Sequence, residues 1–342
     1  MTPKPFAGFK TFQAHHCVTG SLRHIYEFNH FSVSEDLLIG LGAGVGFIYW
    51  HTKGTAPFYG GRANVGRAGE EGLEVTASRR LGVRAETYKT NSPHRAEKAL
   101  VEMLTAGTPV MLLVDMGFLP YLDLPEDYHF GAHAITVAGY DAETNQVLVA
   151  DRDEGLYTIS MDVLAQARDS RYRPFPPKHQ WYTFDFSGMH PPEADDVWQA
   201  IHEVVVGMME PPITNIGVKG IRKAARSTLK WPETMNEKEL RWACFNAYVF
   251  IDAIGGTGGG IFRYMYSRFL REASEIVGDQ RLLEVSDDLR VIGDGWQEVA
   301  QMFKRAVKRL HPEDLLPDIT APILSIADQE QAAWERLGEL IS

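Results

Sequence analysis

The sequence predicts an α+β domain followed by an all-helical one, and three observations carry that prediction. Short runs of β-branched and apolar residues bounded by turn residues recur in the first half, most clearly over residues 108–115 and 133–140. Helical apolar spacing interleaves with them, at Leu22, Ile25 and Tyr26 and again at Ala96, Ala99, Leu100, Met103 and Leu104. After Ser187-Gly188-Met189-His190-Pro191-Pro192 the pattern becomes wholly helical. The chain is therefore read as two domains, 1–188 and 189–342. With 342 residues, 44% of them hydrophobic, it is long enough to bury a core in each.

A first helix is expected to open at Cys17. Ser32-Val33-Ser34-Glu35-Asp36 is a capping sequence that starts a second helix near Ser34. Residues 40–46 then form a glycine-rich turn that runs into an apolar, aromatic strand ending at Trp50. Gly42-Ala43-Gly44 does not continue into a dinucleotide-binding spacing, so these glycines are read as allowing close backbone packing. Residues 60–72 are polar, glycine-rich and of mixed charge, and are expected as an exposed loop. A helix over 73–81 and a strand over 83–87 follow. Ser92-Pro93 opens a helix that runs through Leu104 and stops at Gly107. The strand over 108–115 leads into a loop, 116–130, of the length and aromatic content that lines a substrate channel. Residues 133–140, a turn at 141–145 and residues 147–151 make a β-hairpin. A helix over 161–167 and a strand over 181–186 complete the domain. Further helices are expected over 197–209, 217–229, 237–252, 261–277, 280–310 with a break near Gly293-Asp294-Gly295, and 328–341.

Composition narrows the function classes. Acidic residues outnumber basic ones, 45 to 34, and no basic stretch is concentrated enough for nucleic acid. The excess suits a cationic small molecule, although it is equally the mark of an ordinary soluble protein. Cys17 and Cys244 are the only cysteines, which excludes a disulfide framework and points to a reducing, cytoplasmic setting. Residues 1–10 contain no apolar run of signal-peptide length. The longest apolar stretch, 37–50, is interrupted by four glycines and is too short to cross a bilayer, so no membrane association is expected. The oligomeric state is left open, a homo-oligomer included.

Chemistry concentrates in Gln13-Ala14-His15-His16-Cys17 and in the strand headed by His133. A cysteine at a helix start sits where the dipole and unpaired amides favour thiolate, its nucleophilic form. The hairpin returns the chain towards His133 and brings Asp151 to the neighbouring strand. There Asp151 holds the imidazole in the correct tautomer while His133 takes the thiol proton. Asp141 and Asp153 are rivals, the first in turn chemistry and the second past the strand end. Against this stands the commonest fate of a free cysteine, a small buried hydrophobe. Zinc held by His15, His16 and Cys17 lacks the second spaced ligand pair of structural sites, and no metal or organic cofactor is required.

These stretches also carry a resemblance. Cys17 at a helix start, with Gly131-Ala132-His133-Ala134-Ile135-Thr136-Val137 and a strand ending in Val149-Ala150-Asp151, resembles the papain-like cysteine fold in its bacterial leader-peptidase variety. His16-Cys17-x-Thr19 followed by Ser34-Glu35-x-Leu37-x-x-Gly40-Leu41-Gly42-x-Gly44-x-x-Phe47-x-Tyr49 is similar to the amino-terminal domain of the butirosin-biosynthesis acyltransferase (BtrH-like) family. That resemblance implies acyl transfer from a thioester, carried on an acyl carrier protein, to a small-molecule amine acceptor in secondary metabolism. It covers residues 14–151, and the rest resembles the helical domain often fused to it. Peptide or amide hydrolysis by the same Cys17, His133 and Asp151 is the alternative activity, and a non-catalytic small-molecule-binding module of this fold is the alternative class.

Three further residues are assigned. Gln13 stands nearer the cysteine than the oxyanion glutamine of papain-like enzymes, yet is the candidate for that role beside the Cys17 amide. Glu35 is either a helix cap or a carboxylate facing a cationic substrate. Arg263, after the glycine run 255–260, is a candidate to meet an anionic group such as phosphopantetheine. Cys244 lies on an apolar helical face and is read as core.

Overall fold

The computed structural model describes residues 3–52, 55–66, 71–125, 128–173, 175–253 and 259–341. The elements of its first half are α1 (Cys17–Phe28), α2 (Glu35–Leu41), β1 (Val45–Trp50), β2 (Phe58–Arg62), α3 (Leu73–Arg80), β3 (Arg84–Tyr88), α4 (Pro93–Thr105), β4 (Val110–Val114), β5 (His133–Asp141), β6 (Gln146–Ala150), β7 (Leu156–Ser160), α5 (Met161–Asp169) and β8 (Trp181–Asp185). Helices follow: α6 (Ala194–Met209), α7 (Gly217–Thr228), α8 (Trp231–Thr234), α9 (Glu237–Ile251), α10 (Gly259–Val277), α11 (Leu282–Val307) and α12 (Leu316–Glu339). The fold class is α+β.

The chain packs as two compact units that are not contiguous in sequence. One takes the chain to Leu38 together with Leu81–His190; the other takes Ile39–Arg80 and everything from Pro191. Where the sequence reading divides the chain once, at 188/189, packing also moves residues 39–80 into the helical unit. The physical reason is the apolar aromatic pair β1–β2. Phe47 stacks on Trp296 at 5.5 Å, Tyr59 meets Phe303 and Trp231 edge-on, and the Trp231 indole donates to the Tyr49 hydroxyl at 3.0 Å. The second unit is thus helical around a two-stranded sheet rather than all-helical.

The first unit is built on a six-stranded antiparallel sheet in the order β3-β8-β4-β5-β6-β7. Alternation sorts its faces. Val110, Leu112 and Val114 of β4, Ile135 and Val137 of β5, and Val147 and Val149 of β6 join Leu100 and Leu104 of α4 and Leu164 of α5 in one core. Ala134, Thr136 and Ala138 of β5 have the opposite parity and are small. Helix α1 packs against β5, where the Thr136 hydroxyl donates to the Ser21 carbonyl at 3.4 Å. Ser92 caps α4 as expected, accepting from Arg95, with Pro93 in the first turn.

Four sequence expectations are corrected here. Residues 60–62 are strand: Gly60 and Gly61 are buried in β2, and the Phe58 and Ile48 side chains fill the space a Cβ would need at Gly60. Residues 67–70 lie outside the described residues. Helix α11 runs unbroken through Gly293 and Gly295, because Gly293 lets Tyr264 of α10 approach to within 2.8 Å of where a Cβ would stand. Helix α12 begins at Leu316, not near 328, accommodating Pro317 in its first turn and Pro322 inside. A strand the sequence reading missed, β7, extends the sheet beyond β6. No described helix is long and apolar enough to cross a membrane.

The helical unit closes on one buried ion pair. Arg263 and Glu330 are both fully buried, and the guanidinium meets the carboxylate through two N–H groups at 2.8 and 2.7 Å. Glu330 also accepts from the Trp296 and Trp334 indoles, each at 2.9 Å, and Arg263 donates a third bond to the Gly46 carbonyl. Removing either charge strands the other away from water. Glu330→Ala and Arg263→Ala are each expected to cost about 3–5 kcal/mol. The double substitution is expected to cost clearly less than their sum, read from urea unfolding midpoints.

Candidate active site

Helix α1 begins at Cys17 because His16 holds an extended backbone, φ −132° and ψ 136°, and Gly20 N–H is bonded to the His16 carbonyl at 2.8 Å. No side chain caps this helix start, so the Cys17 amide lies in the first turn, where helix geometry provides no intrahelical carbonyl. The backbone ahead of it is held instead by Glu35. That carboxylate, only 4% exposed, accepts from the amides of His15 at 3.1 Å and His16 at 3.2 Å and from the Thr19 hydroxyl at 2.9 Å. The next segment back is pinned to the far side of the site: Ala14 N–H and the Gln13 side-chain amide both donate to the Arg152 carbonyl, at 2.7 and 3.1 Å.

The β5–β6 hairpin supplies the partner. Thr136 pairs with Ala150, so His133, at the head of β5, and Asp151, one residue past β6, meet at the same end of the hairpin. The His133 Nε2 lies 2.8 and 2.9 Å from the two Asp151 oxygens, with both side chains almost fully buried. Cys17 hydrogen-bonds His133. With Nε2 turned to the carboxylate, Nδ1 is the ring nitrogen left for sulfur. Of the three candidate aspartates only Asp151 is joined to His133. Asp141 accepts from the Glu143 amide in its own turn, and Asp153 accepts from the Gly155 amide and the Tyr157 hydroxyl.

Charges follow this geometry. Burial pushes the Cys17 thiol up, but the His16 and His133 imidazoles beside it outweigh burial and hold it well below the ordinary thiol range. Burial likewise pulls His133 down, and Asp151 with Cys17 overcomes it, raising the imidazole to about 10. Burial would raise Asp151, yet His133 and the Tyr121 hydroxyl bring it below the usual carboxylate value. Cys244 shows the contrast: buried without such partners, its thiol is pushed up to about 12.

Sequence reasoning gave no role at this site to Tyr121, Asp115 or Thr19, and weighed His16 only as a zinc ligand. Tyr121, from the loop after β4, donates to Asp151 Oδ2 at 3.0 Å and stacks on Tyr157 at 4.1 Å. The loop is tied at its base by Asp115, which accepts from the Gly117 and Phe130 amides, the His129 ring and the Ser170 hydroxyl. His16 and Thr19 flank the cysteine, and their spacing of three on one helix start was the signal available. Among the described residues no group of three or more histidine, cysteine, aspartate or glutamate side chains is arranged to hold a metal ion.

Two expectations are corrected. Glu35 is a positioning residue rather than one facing a substrate, since its oxygens are taken up by the turn that carries Cys17. Arg263 is no anion receptor: Glu330 neutralises it in the core of the other unit. Gly255 to Gly258 lie outside the described residues. Gln13 is exposed, and one of its two amide hydrogens is committed to Arg152.

The geometry sets two expectations. Glu35→Ala leaves three donors unpaired, at about 1–3 kcal/mol for each that stays buried. It is expected to lower both the urea midpoint and the alkylation rate of Cys17, with Glu35→Gln intermediate. The second concerns pH. The folded value of His133 lies above its unfolded value, so its contribution is complete below about pH 6.5 and is lost as pH rises through about 10. Asp151 is shifted downward, so its contribution is complete above about pH 4 and is lost as pH falls through its lower folded value. The stability gap between the parent and His133→Ala is expected to be widest near pH 5–6 and to narrow at both extremes.

Comparison with known proteins covers both parts of the chain. No curated protein matches it. Residues 16–152 match the family model described as butirosin biosynthesis protein H, N-terminal, and this stretch contains Cys17, His133 and Asp151. Residues 162–337, just over half of the chain, match a domain of unknown function (DUF4872). The chain belongs to the BtrH-like family, with a butirosin biosynthesis protein H amino-terminal domain followed by a DUF4872 domain.

Proposed function

We propose that this protein is a cysteine-dependent acyltransferase that passes an acyl group from a thioester to an amine. The observation that carries the reading is the buried line Cys17–His133–Asp151, with sulfur at the first residue of a helix and a carboxylate 2.8 Å behind the imidazole. Family membership supports a biosynthetic, acyltransferase-like role in general.

The resting pair is thiolate and imidazolium. Thiolate attacks the donor carbonyl, forming the new C–S bond. The Cys17 amide, unpaired within the helix, is a donor for the oxyanion. As the tetrahedral species collapses, the donor's C–S bond breaks and His133 gives its proton to the leaving thiolate. A neutral amine then attacks the acyl-cysteine; His133 takes the proton the nitrogen loses, the acyl C–S bond breaks, and amide leaves as thiolate and imidazolium are restored. The acceptor is a small-molecule amine, and the donor is a thioester of the kind an acyl carrier protein presents. Hydrolysis differs only in that water takes the place of the amine.

Iodoacetamide labelling followed by mass spectrometry tests the nucleophile, with Cys244 as the internal control. Cys17 is expected to react well below the ordinary thiol pKa of about 8.5. His133→Ala is expected to remove most of that advantage, while Cys244 stays inert in both proteins. Equal reactivity of the two cysteines in the parent would sink the proposal and favour a binding module.

A further inference from the structure

We infer, resting on the acyl-transfer reading and deepening it, that Tyr121 is a positioning residue which shares the Asp151 carboxylate with His133 and so keeps the imidazolium able to give its proton to the leaving thiolate. Three contacts fix Tyr121 in place. It lies in the short turn Pro120–Leu122, on the loop whose base Asp115 fastens. Its ring is parallel to that of Tyr157 on β7, with 4.1 Å between centroids and 10° between planes. Its hydroxyl donates to Asp151 Oδ2 at 3.0 Å, and that same oxygen lies 2.8 Å from His133 Nε2. Burial, and then the Asp151 charge, push the phenol far above its ordinary range, so the proton stays on Tyr121 and the carboxylate accepts it.

Asp151 thus serves two side-chain donors, and charge stabilised through one is held less strongly by the other. The remaining groups that face it do not replace Tyr121. His24 of α1 is neutral at working pH, because burial draws it down to about 4 and Arg23 beside it opposes a charge. Arg152, next in sequence, is a fixed cation that any Tyr121 variant keeps. The Tyr157 hydroxyl is committed to Asp153. At the sulfur, His16 and His133 are the groups that lower the Cys17 thiol.

The hold on the His133 proton matters at one step. After thiolate has attacked the donor, the C–S bond of the leaving group breaks and its electron pair goes to the departing sulfur. His133 gives that sulfur its proton and becomes neutral, so charge balances. The imidazolium value of about 10 already lies above that of an ordinary thiol, about 8.5, so the transfer runs uphill. Without the Tyr121 hydroxyl, more of the carboxylate charge bears on His133 and the imidazolium becomes a weaker acid. An alkyl thiolate, which needs the proton to leave, is slowed; an aryl thiolate, which leaves without one, is not.

The test measures single-turnover acylation of Cys17 by intact-protein mass spectrometry at neutral pH. Two donors carry one acyl group, the butanoyl thioester of N-acetylcysteamine and S-phenyl thiobutanoate. Tyr121→Phe keeps the ring and its stack on Tyr157 and loses only the hydroxyl. The ratio of the alkyl to the aryl rate is expected to fall about threefold, the effect of an acid about tenfold weaker acting through a Brønsted slope of roughly one half. The aryl rate is expected to stay close to that of the parent. Tyr157→Phe, which removes the hydroxyl bound to Asp153, is expected to keep the parental ratio. Equal slowing with the two donors, or an unchanged ratio in Tyr121→Phe, overturns the inference and leaves Tyr121 as a prop for its loop. An equal fall in Tyr157→Phe also overturns it, because the stacked pair rather than the bond to Asp151 would then be responsible. If neither donor acylates Cys17 in the parent, the acyl-transfer reading fails first, and this inference with it.

Discussion

A carboxylate removed from water must be surrounded by donors or by opposite charge, and both units of this protein are assembled around that requirement. Glu330 gathers a guanidinium and two indoles from α10, α11 and its own helix. Asp115 gathers two amides, a ring nitrogen and a hydroxyl, and closes the base of a long loop. Asp151 joins a histidine to a tyrosine, and Glu35 fastens the turn before α1. Each joins segments far apart in sequence, so each is also a constraint on which segments must meet.

The candidate site divides its labour between element types. Antiparallel pairing of β5 and β6 places His133 and Asp151 at one end of a hairpin with no freedom beyond side-chain rotation. The helix start of α1 brings sulfur and unpaired amides, which a strand could not offer, since its amides are spent on the ladder. The two halves are tied together by the Arg152 carbonyl, directly after Asp151, which holds the Ala14 amide just ahead of the cysteine. The low thiol pKa follows from this closure, not from cysteine chemistry alone: Cys244 has burial without imidazoles and moves the opposite way.

Much of this was legible beforehand, and for local reasons. The start of α1 at Cys17, the cap at Ser92 and the hairpin from His133 are written in spacing and turn residues within a dozen positions of one another. Asp141 could be set aside because turn chemistry explains it. Tyr121 could not be found, because it reaches Asp151 from a loop whose path is set by Asp115. Arg263 misled for the complementary reason: an arginine after a glycine run reads as an anion site until its buried carboxylate, 67 residues later, is brought to it.

The sequence by itself determined the α+β class and the elements that bear Cys17, His133 and Asp151, because periodicity, caps and tight turns act over short distances. Tertiary structure decided which charges meet. It gave residues 39–80 to the helical unit, turned Glu35 inward to hold the turn before Cys17, neutralised Arg263, and set imidazoles beside Cys17. Burial makes an unmet charge costly at any sequence separation, and its partner is known only once the chain has closed.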